Sequence, residues 1–228
     1  MTDTRTDVEG RRLDSFAAVL WDMDGTLVDT EPAWIAGEYA LAERYGGTWS
    51  EEHALQLVGN DLLDSGRYIR HHMGIDRSPR QIVDELLDFV VEDISHHVPW
   101  RPGARELLEA LRQAGVPLGL VTMSYGRFAD PILAALPEDT FATVVTGDVV
   151  DNGKPHPEPY LTAARRLDVL AGECLAIEDS PVGADSASAA GCTVLCVPLH
   201  VPVPPGCGRI FADSLEGLTP ASPLLVAE

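Results

Sequence analysis

Five short apolar runs constrain this chain more than any other feature: AAVLW at 17–21, PLGLV at 117–121, ATVV at 142–145, CLAI at 174–177 and TVLCV at 193–197. Each is too short for a helix, is bounded by turn-forming residues, and stays apolar instead of alternating with polar positions. That pattern marks strands covered on both faces, as in a parallel sheet. Helical patterns lie between the later runs. RPGARELLEALRQAG, PYLTAARRLDVLAG and SPVGADSASAAG each open at or near a proline and close at a glycine, matching the preference for proline in a first turn and glycine beyond a last one. The alternation predicts an α/β fold whose core is a Rossmann-like parallel sheet with right-handed crossovers.

About a hundred residues separate the first two runs, and they read as helical. The segment SPRQIVDELLDFVVEDI starts with Ser78 and Gln81 spaced as a capping box and with Pro79 at the first helical position. Its Ile82, Leu86 and Phe89, flanked by Val83, Leu87 and Val90, form a wide apolar stripe. WIAGEYALAERYG and SEEHALQLVG supply further helical candidates. The expected organisation is a flexible leader over 1–15, a core built from 16–31 and 99–228, and an inserted helical cap at 32–98.

Charge and composition narrow the partners. Thirty-six acidic residues against 16 basic ones give a net charge of -20, which argues against nucleic acid and anionic membranes. An anionic substrate then needs a local cationic site. No run approaches the ~18 apolar residues of a membrane span, and the polar start MTDTRTDVEGRRLDS has no signal-peptide core. The four cysteines, Cys174, Cys192, Cys196 and Cys207, lack metal-ligand spacing and read as reduced thiols of a cytoplasmic protein.

A polar residue follows each of the first four runs: Asp22, Thr122, Thr146, and Glu178 with Asp179. The carboxyl ends of parallel strands share one edge of a sheet, where ligands bind, so these side chains should converge. In WDMDGTLVDTEP, Asp22 and Asp24 stand two apart and Gly25 permits a sharp turn. One carboxylate can attack phosphorus and the other can shuttle the proton of the leaving oxygen and of water. Two anions facing a phosphate require a compensating cation, and Glu178 and Asp179 add hard oxygen ligands that suit Mg²⁺. Lys154 lies in DNGKPHPEPY, stiffened by Pro155, Pro157 and Pro159, where a fixed ammonium can offset phosphoryl charge. Thr122 and Ser124 in VTMSYG can donate hydroxyl hydrogen bonds to the same oxygens. The adjacent pairs His71-His72 and His96-His97 point apart on a helix and form no ready metal site.

Together, WDMDGTLVDTEP, VTMS, GKPHPEPY and IEDSPVGADSASAAG resemble the four ordered motifs of the haloacid dehalogenase superfamily, in the branch with a helical cap after the first motif. The resemblance spans about residues 16 to 218. It implies Asp22 as nucleophile, Asp24 as general acid and base, and Thr122 and Lys154 as phosphate ligands. It also implies Mg²⁺ held by Asp22, the Asp24 carbonyl and Asp179, with Glu178 in support. In mutase-like relatives an arginine follows the cap glycine, but here Asn60 and Asp61 follow Gly59, which favours water over a second sugar hydroxyl as acceptor. The reading is thus a monomeric phosphatase of small phosphorylated metabolites, with a sugar phosphomutase as the alternative. A catalytically silent binding protein on the same fold is a further possibility. A dehalogenase fits poorly, because displacing halogen from carbon needs neither the second aspartate nor a metal.

Overall fold

A computed structural model describes residues 10–57 and 62–224. In chain order they form β1 (Ala18–Trp21), α1 (Glu31–Tyr45), α2 (Glu51–Leu55), α3 (Leu62–Met73), α4 (Pro79–His96) and α5 (Ala104–Gln113). There follow β2 (Leu118–Val121), α6 (Gly126–Ala134), β3 (Thr143–Val145), α7 (Glu158–Arg166), β4 (Cys174–Glu178), α8 (Pro181–Ala190), β5 (Thr193–Cys196) and β6 (Arg209–Phe211). The chain divides into two compact units, Met1–Asp29 with Trp100–Glu228, and Thr30–Pro99. No helix among the described residues is long and apolar enough to cross a membrane. Cys174, Cys192 and Cys196 are buried thiols, and Cys207 is exposed.

The first unit holds a six-stranded parallel sheet in the order β3-β2-β1-β4-β5-β6. Every residue of β1, β2, β4 and β5 is buried, which is why these strands read as continuous apolar runs. Register aligns Trp21 with both Leu120 and Ile177. The carboxyl ends of β1, β2 and β4 are therefore flush, and the residues just beyond them share one edge. The order in which the chain adds strands reverses between β1 and β4, the switch point at which open α/β sheets bind ligands.

Several elements depart from expectation for local reasons. α5 begins at Ala104 and not at Pro102, because Gly103 takes the left-handed φ of 76°. A Cβ there would lie 2.3 Å from the Glu216 backbone nitrogen, so a neighbouring segment sets the helix start. α7 ends at Arg166, short of the expected Gly172, and Asp168 with φ 58° turns the chain. β6 carries one buried residue, Ile210, and α6 contains Pro131. Neither has a clear periodic signal. The stretch expected as a leader is tethered over 10–15: Gly10 N–H bonds Leu224 O at 2.9 Å, Asp14 N–H bonds Pro220 O at 2.9 Å, and Leu13 is buried.

In the second unit, α4 carries the capping box of Ser78 and Gln81. Ile82 and Leu86 of α4 pack with Leu41 of α1 and Ile69 of α3, each fully buried aliphatic contributing roughly 1.5–3 kcal/mol. Gly66 lets α3 approach α4 closely, since a Cβ there would stand 2.6 Å from Pro79 O. Around this core run Trp34, Tyr45, Trp49 and Tyr68. His72 stacks on Tyr68 at 3.9 Å, and His71, His72, His96 and His97 are exposed.

Candidate active site

Asp22 follows β1 directly, and its N–H extends the ladder to Ile177 O at 3.0 Å. Glu178 ends β4 and Asp179 comes next. Thr122 follows β2, with its N–H on Val145 O at 2.9 Å. Flush strand ends thus gather carboxylates and hydroxyls at the switch point.

Lys154, from the proline-stiffened loop after β3, enters this cluster and is almost fully buried. Its Nζ donates to Asp22 Oδ1 at 2.7 Å, Glu178 Oε1 at 2.7 Å and Val121 O at 2.8 Å. Three protons meet three acceptors, so the ammonium has no rotational freedom. Burial alone would lower its pKa, but Asp22 and Glu178 outweigh burial and raise it. Lys154 is also the only lysine among 228 residues, every other Lys or Arg position being arginine. That singularity is a sequence signal in its own right.

One ammonium does not balance three carboxylates. Glu178 and Asp179 are pushed upward, first by burial and then by the Asp22 charge, with Lys154 opposing. One oxygen from each of Asp22, Glu178 and Asp179 lies within 4.8 Å of the others. Asp22 Oδ2 and Glu178 Oε2 are buried with no hydrogen-bond partner among the described residues. Orphaned hard oxygens in an excess of negative charge fit a divalent cation such as Mg²⁺.

Asp24 is held differently. Its Oδ2 accepts from Ser124 Oγ at 2.7 Å and Thr122 Oγ1 at 3.4 Å, while Ser124 N–H donates to Thr122 Oγ1 at 3.0 Å. Met123, between them, receives the Lys154 N–H on its sulfur at 3.2 Å, so the VTMS and GKP segments brace one another. Asp22, Asp24, Thr122, Ser124, Lys154, Glu178 and Asp179 are all brought to this edge. Thr146 is not among them, its hydroxyl being spent on Asp148 at 2.5 Å. Asn60 and Asp61 lie outside the described residues. Arg67 pairs with Asp64 of its own helix.

Sequence reasoning missed three further residues and one further role. Tyr160 of α7 is fully buried and donates its hydroxyl to Glu178 Oε1. Arg101 donates through Nη1 to Gly25 O at 2.5 Å and Val197 O at 2.8 Å. Gly183 leaves room for the Glu178 carboxylate, whose Oε2 would lie 1.9 Å from a Cβ there. Gly25 combines φ +85° with an absent Cβ that would stand 2.1 Å from Asp179 Oδ2, so the expected turn glycine also accommodates a carboxylate.

A parallel α/β sheet with a carboxylate pair, a lysine and an acidic pair at its switch point has the layout of an α/β enzyme that binds its ligand at that edge. The chain belongs to the haloacid dehalogenase-like hydrolase family, whose model matches residues 19–197. It is 33% identical over 175 residues to the phosphorylated carbohydrates phosphatase of Thermotoga maritima, covering 76% of this chain and 81% of that protein. To hexitol phosphatase A of Escherichia coli it is 33% identical over 190 residues, covering 78% and 81%. The crystal structure of CbbY from Rhodobacter sphaeroides superposes with a TM-score of 0.79 over 89% of this chain and 96% of that one, at 24% identity. The fold is shared with CbbY at that distance, and the Thermotoga maritima and Escherichia coli relatives are named as phosphatases.

Proposed function

We propose that this chain hydrolyses small phosphate monoesters, phosphorylated carbohydrates foremost, with Asp22 as nucleophile, Asp24 as general acid and base, and Mg²⁺ as cofactor. The observation that carries the reading is the division of labour between the two aspartates. Asp22 Oδ1 is fixed by an ammonium at 2.7 Å, whereas Asp24 Oδ2 is aimed by two hydroxyls. A proton-shuttling carboxylate beside a nucleophilic one is what ester hydrolysis requires.

In the first step a carboxylate oxygen of Asp22 attacks phosphorus, the bond to the leaving oxygen breaks, and Asp24 delivers a proton to that oxygen. In the second, Asp24 takes a proton from water as the water oxygen attacks phosphorus, which releases inorganic phosphate and restores the Asp22 carboxylate. Lys154 offsets charge on the phosphoryl oxygens throughout, and the Thr122 and Ser124 hydroxyls, which hold Asp24 Oδ2 here, turn to those oxygens when a phosphate is bound. Mg²⁺, when bound, neutralises charge and polarises a phosphoryl oxygen. Asp22, Asp179 and the Asp24 carbonyl would hold it, with Glu178 in support.

The substrate class rests on the relatives named for phosphorylated carbohydrates and hexitol phosphates. A net charge of -20 supports a small-molecule partner over nucleic acid or an anionic membrane, and the reading includes a cytoplasmic monomer. The test is phosphate release from hexose phosphates, hexitol phosphates and 2-phosphoglycolate, with and without Mg²⁺. Turnover in Mg²⁺ that stops on chelation is expected. No turnover of any ester, undiminished turnover in excess EDTA, or isomerisation of a sugar 1-phosphate faster than phosphate release would overturn it.

A further inference from the structure

We propose that Tyr160 is a positioning residue for this reaction: its hydroxyl anchors Glu178, and through Glu178 it fixes the Lys154 ammonium against Asp22. The inference rests on the phosphatase reading for its catalytic consequence and on geometry alone for its physical content.

Glu178 Oε1 accepts from both Lys154 Nζ, at 2.7 Å, and the Tyr160 hydroxyl. The other oxygen, Oε2, has no hydrogen-bond partner among the described residues. The whole carboxylate is buried and stands where a side chain at Gly183 would be, so that helix brings no side chain to hold Oε2. Two donors on Oε1 set the direction of the carboxylate. Without the phenol, the carboxylate is tied only to the ammonium it is meant to orient, and the pair can swing together. Lys154 then keeps an ion pair but loses its fixed approach to Asp22, because a long, flexible stem positions nothing by itself.

A purely structural role for Tyr160 predicts something else. Its ring fills the core beneath the sheet edge, with Lys154 Nζ 5.2 Å from the ring centroid, and phenylalanine would fill that volume equally. Burying a hydroxyl is costly unless it meets a partner. Here the partner is the carboxylate that orients the only lysine in the chain.

That single lysine makes the test clean. Protein labelled with ¹⁵N at lysine Nζ gives one side-chain ammonium resonance, protected from water exchange in the wild type. In Tyr160→Phe we expect exchange at least fivefold faster and kcat reduced roughly tenfold or more, as befits a lost hydrogen bond to a charged group. KM should move less than twofold and the thermal midpoint only a few degrees. The Tyr160→Phe and Glu178→Gln effects on kcat should be far from additive if one acts through the other. Either kcat within twofold of the wild type or an unmoved Nζ resonance overturns the proposal. If the wild type hydrolyses no phosphate ester, the phosphatase reading falls, and the resonance alone decides whether Tyr160 fixes Lys154.

Discussion

Each unit of this molecule buries a glutamate, and the two glutamates are supported in opposite ways. Glu178 in the sheet unit is inaccessible and holds an ammonium and a phenol on one oxygen. Glu38 in α1 is 3% exposed and accepts one neutral hydrogen bond, from Trp49 Nε1 at 2.9 Å. Burial raises the Glu38 pKa from 4.5 to about 7, the Trp49 bond only partly offsets this, and Glu31 two turns away adds to the rise. Burial pushes Glu178 up to about 7 as well, but there an ammonium opposes the rise and gives the charge a partner. Around Glu38 it is merely tolerated, so protonation relieves it.

The sharpest break in this comparison comes from the nucleophile. Asp22→Asn should lose more than about a thousandfold in turnover, over ~4 kcal/mol of barrier, because an amide of the same shape does not attack phosphorus. The fold should hold, since the change also removes one of three clustered negative charges. Retention of more than about a hundredth of wild-type turnover, in a steady-state phosphate-release assay, would place the nucleophile elsewhere.

Next is the cation. Lys154→Met leaves Asp22, Glu178 and Asp179 without their buried counter-charge and should cost about 3–5 kcal/mol in urea unfolding. Added Mg²⁺ should recover part of that loss, since binding to the folded state alone stabilises it. A variant as stable as the wild type without Mg²⁺ would show that the acidic cluster was never charged.

The Glu38 effect belongs to the helical unit and depends on pH. The neutral acid is the form the fold prefers, so the stabilisation is fully present below about 4.5 and is lost as the pH rises through about 7. The shift from 4.5 to about 7 corresponds to about 3 kcal/mol. Glu38→Gln should remove the pH dependence and leave residues 31–57 better protected from amide exchange at pH 8. The substitution isolates this carboxyl from His53, which stacks on Trp49 at 4.8 Å. Equal protection in the two proteins at pH 8 would mean that Glu38 carries no buried charge.

The same contrast shows what a sequence discloses. Asp22, Asp24, Thr122, Lys154, Glu178 and Asp179 were legible because each follows an apolar run or sits in a proline-stiffened loop, and a parallel sheet forces such positions to one edge. The five main strands were legible for the same reason. Tyr160 was not, because within PYLTAARRL an aromatic residue at helical spacing signals only core, and its partner lies 18 residues on. Gly183 sits in a run of small helical residues, where nothing marks it as the seat of a carboxylate. Glu38 looks like any charged residue on an amphipathic helix until Trp49 covers it. Roles made by a single long-range contact leave no periodic trace.

The smallest expected effect tests how far the sheet unit's order depends on contacts of that kind. Arg101 ties the turn after β1 to the end of β5, since Nη1 reaches Gly25 O at 2.5 Å and Val197 O at 2.8 Å, while its own N–H bonds Leu27 O at 3.0 Å. The guanidinium also stands near the charges of Asp179 and Asp29. Gly25 is held at φ +85° against Asp179, so the carbonyl that Arg101 grips belongs to the turn carrying Asp22 and Asp24. Arg101→Met keeps the apolar stem but leaves two carbonyls without their donor, a loss of about 1–2 kcal/mol that should appear as a lower urea midpoint with an unchanged slope. Turnover should fall severalfold, far less than for Asp22→Asn, because the turn loosens without losing a reacting group. Arg101→Lys should recover only part of both, since one ammonium cannot copy the fork of a guanidinium. Amide exchange over residues 31–96 should not change. Loss of protection there, or a midpoint equal to the wild type's, would show that Arg101 does not serve the sheet unit in this way.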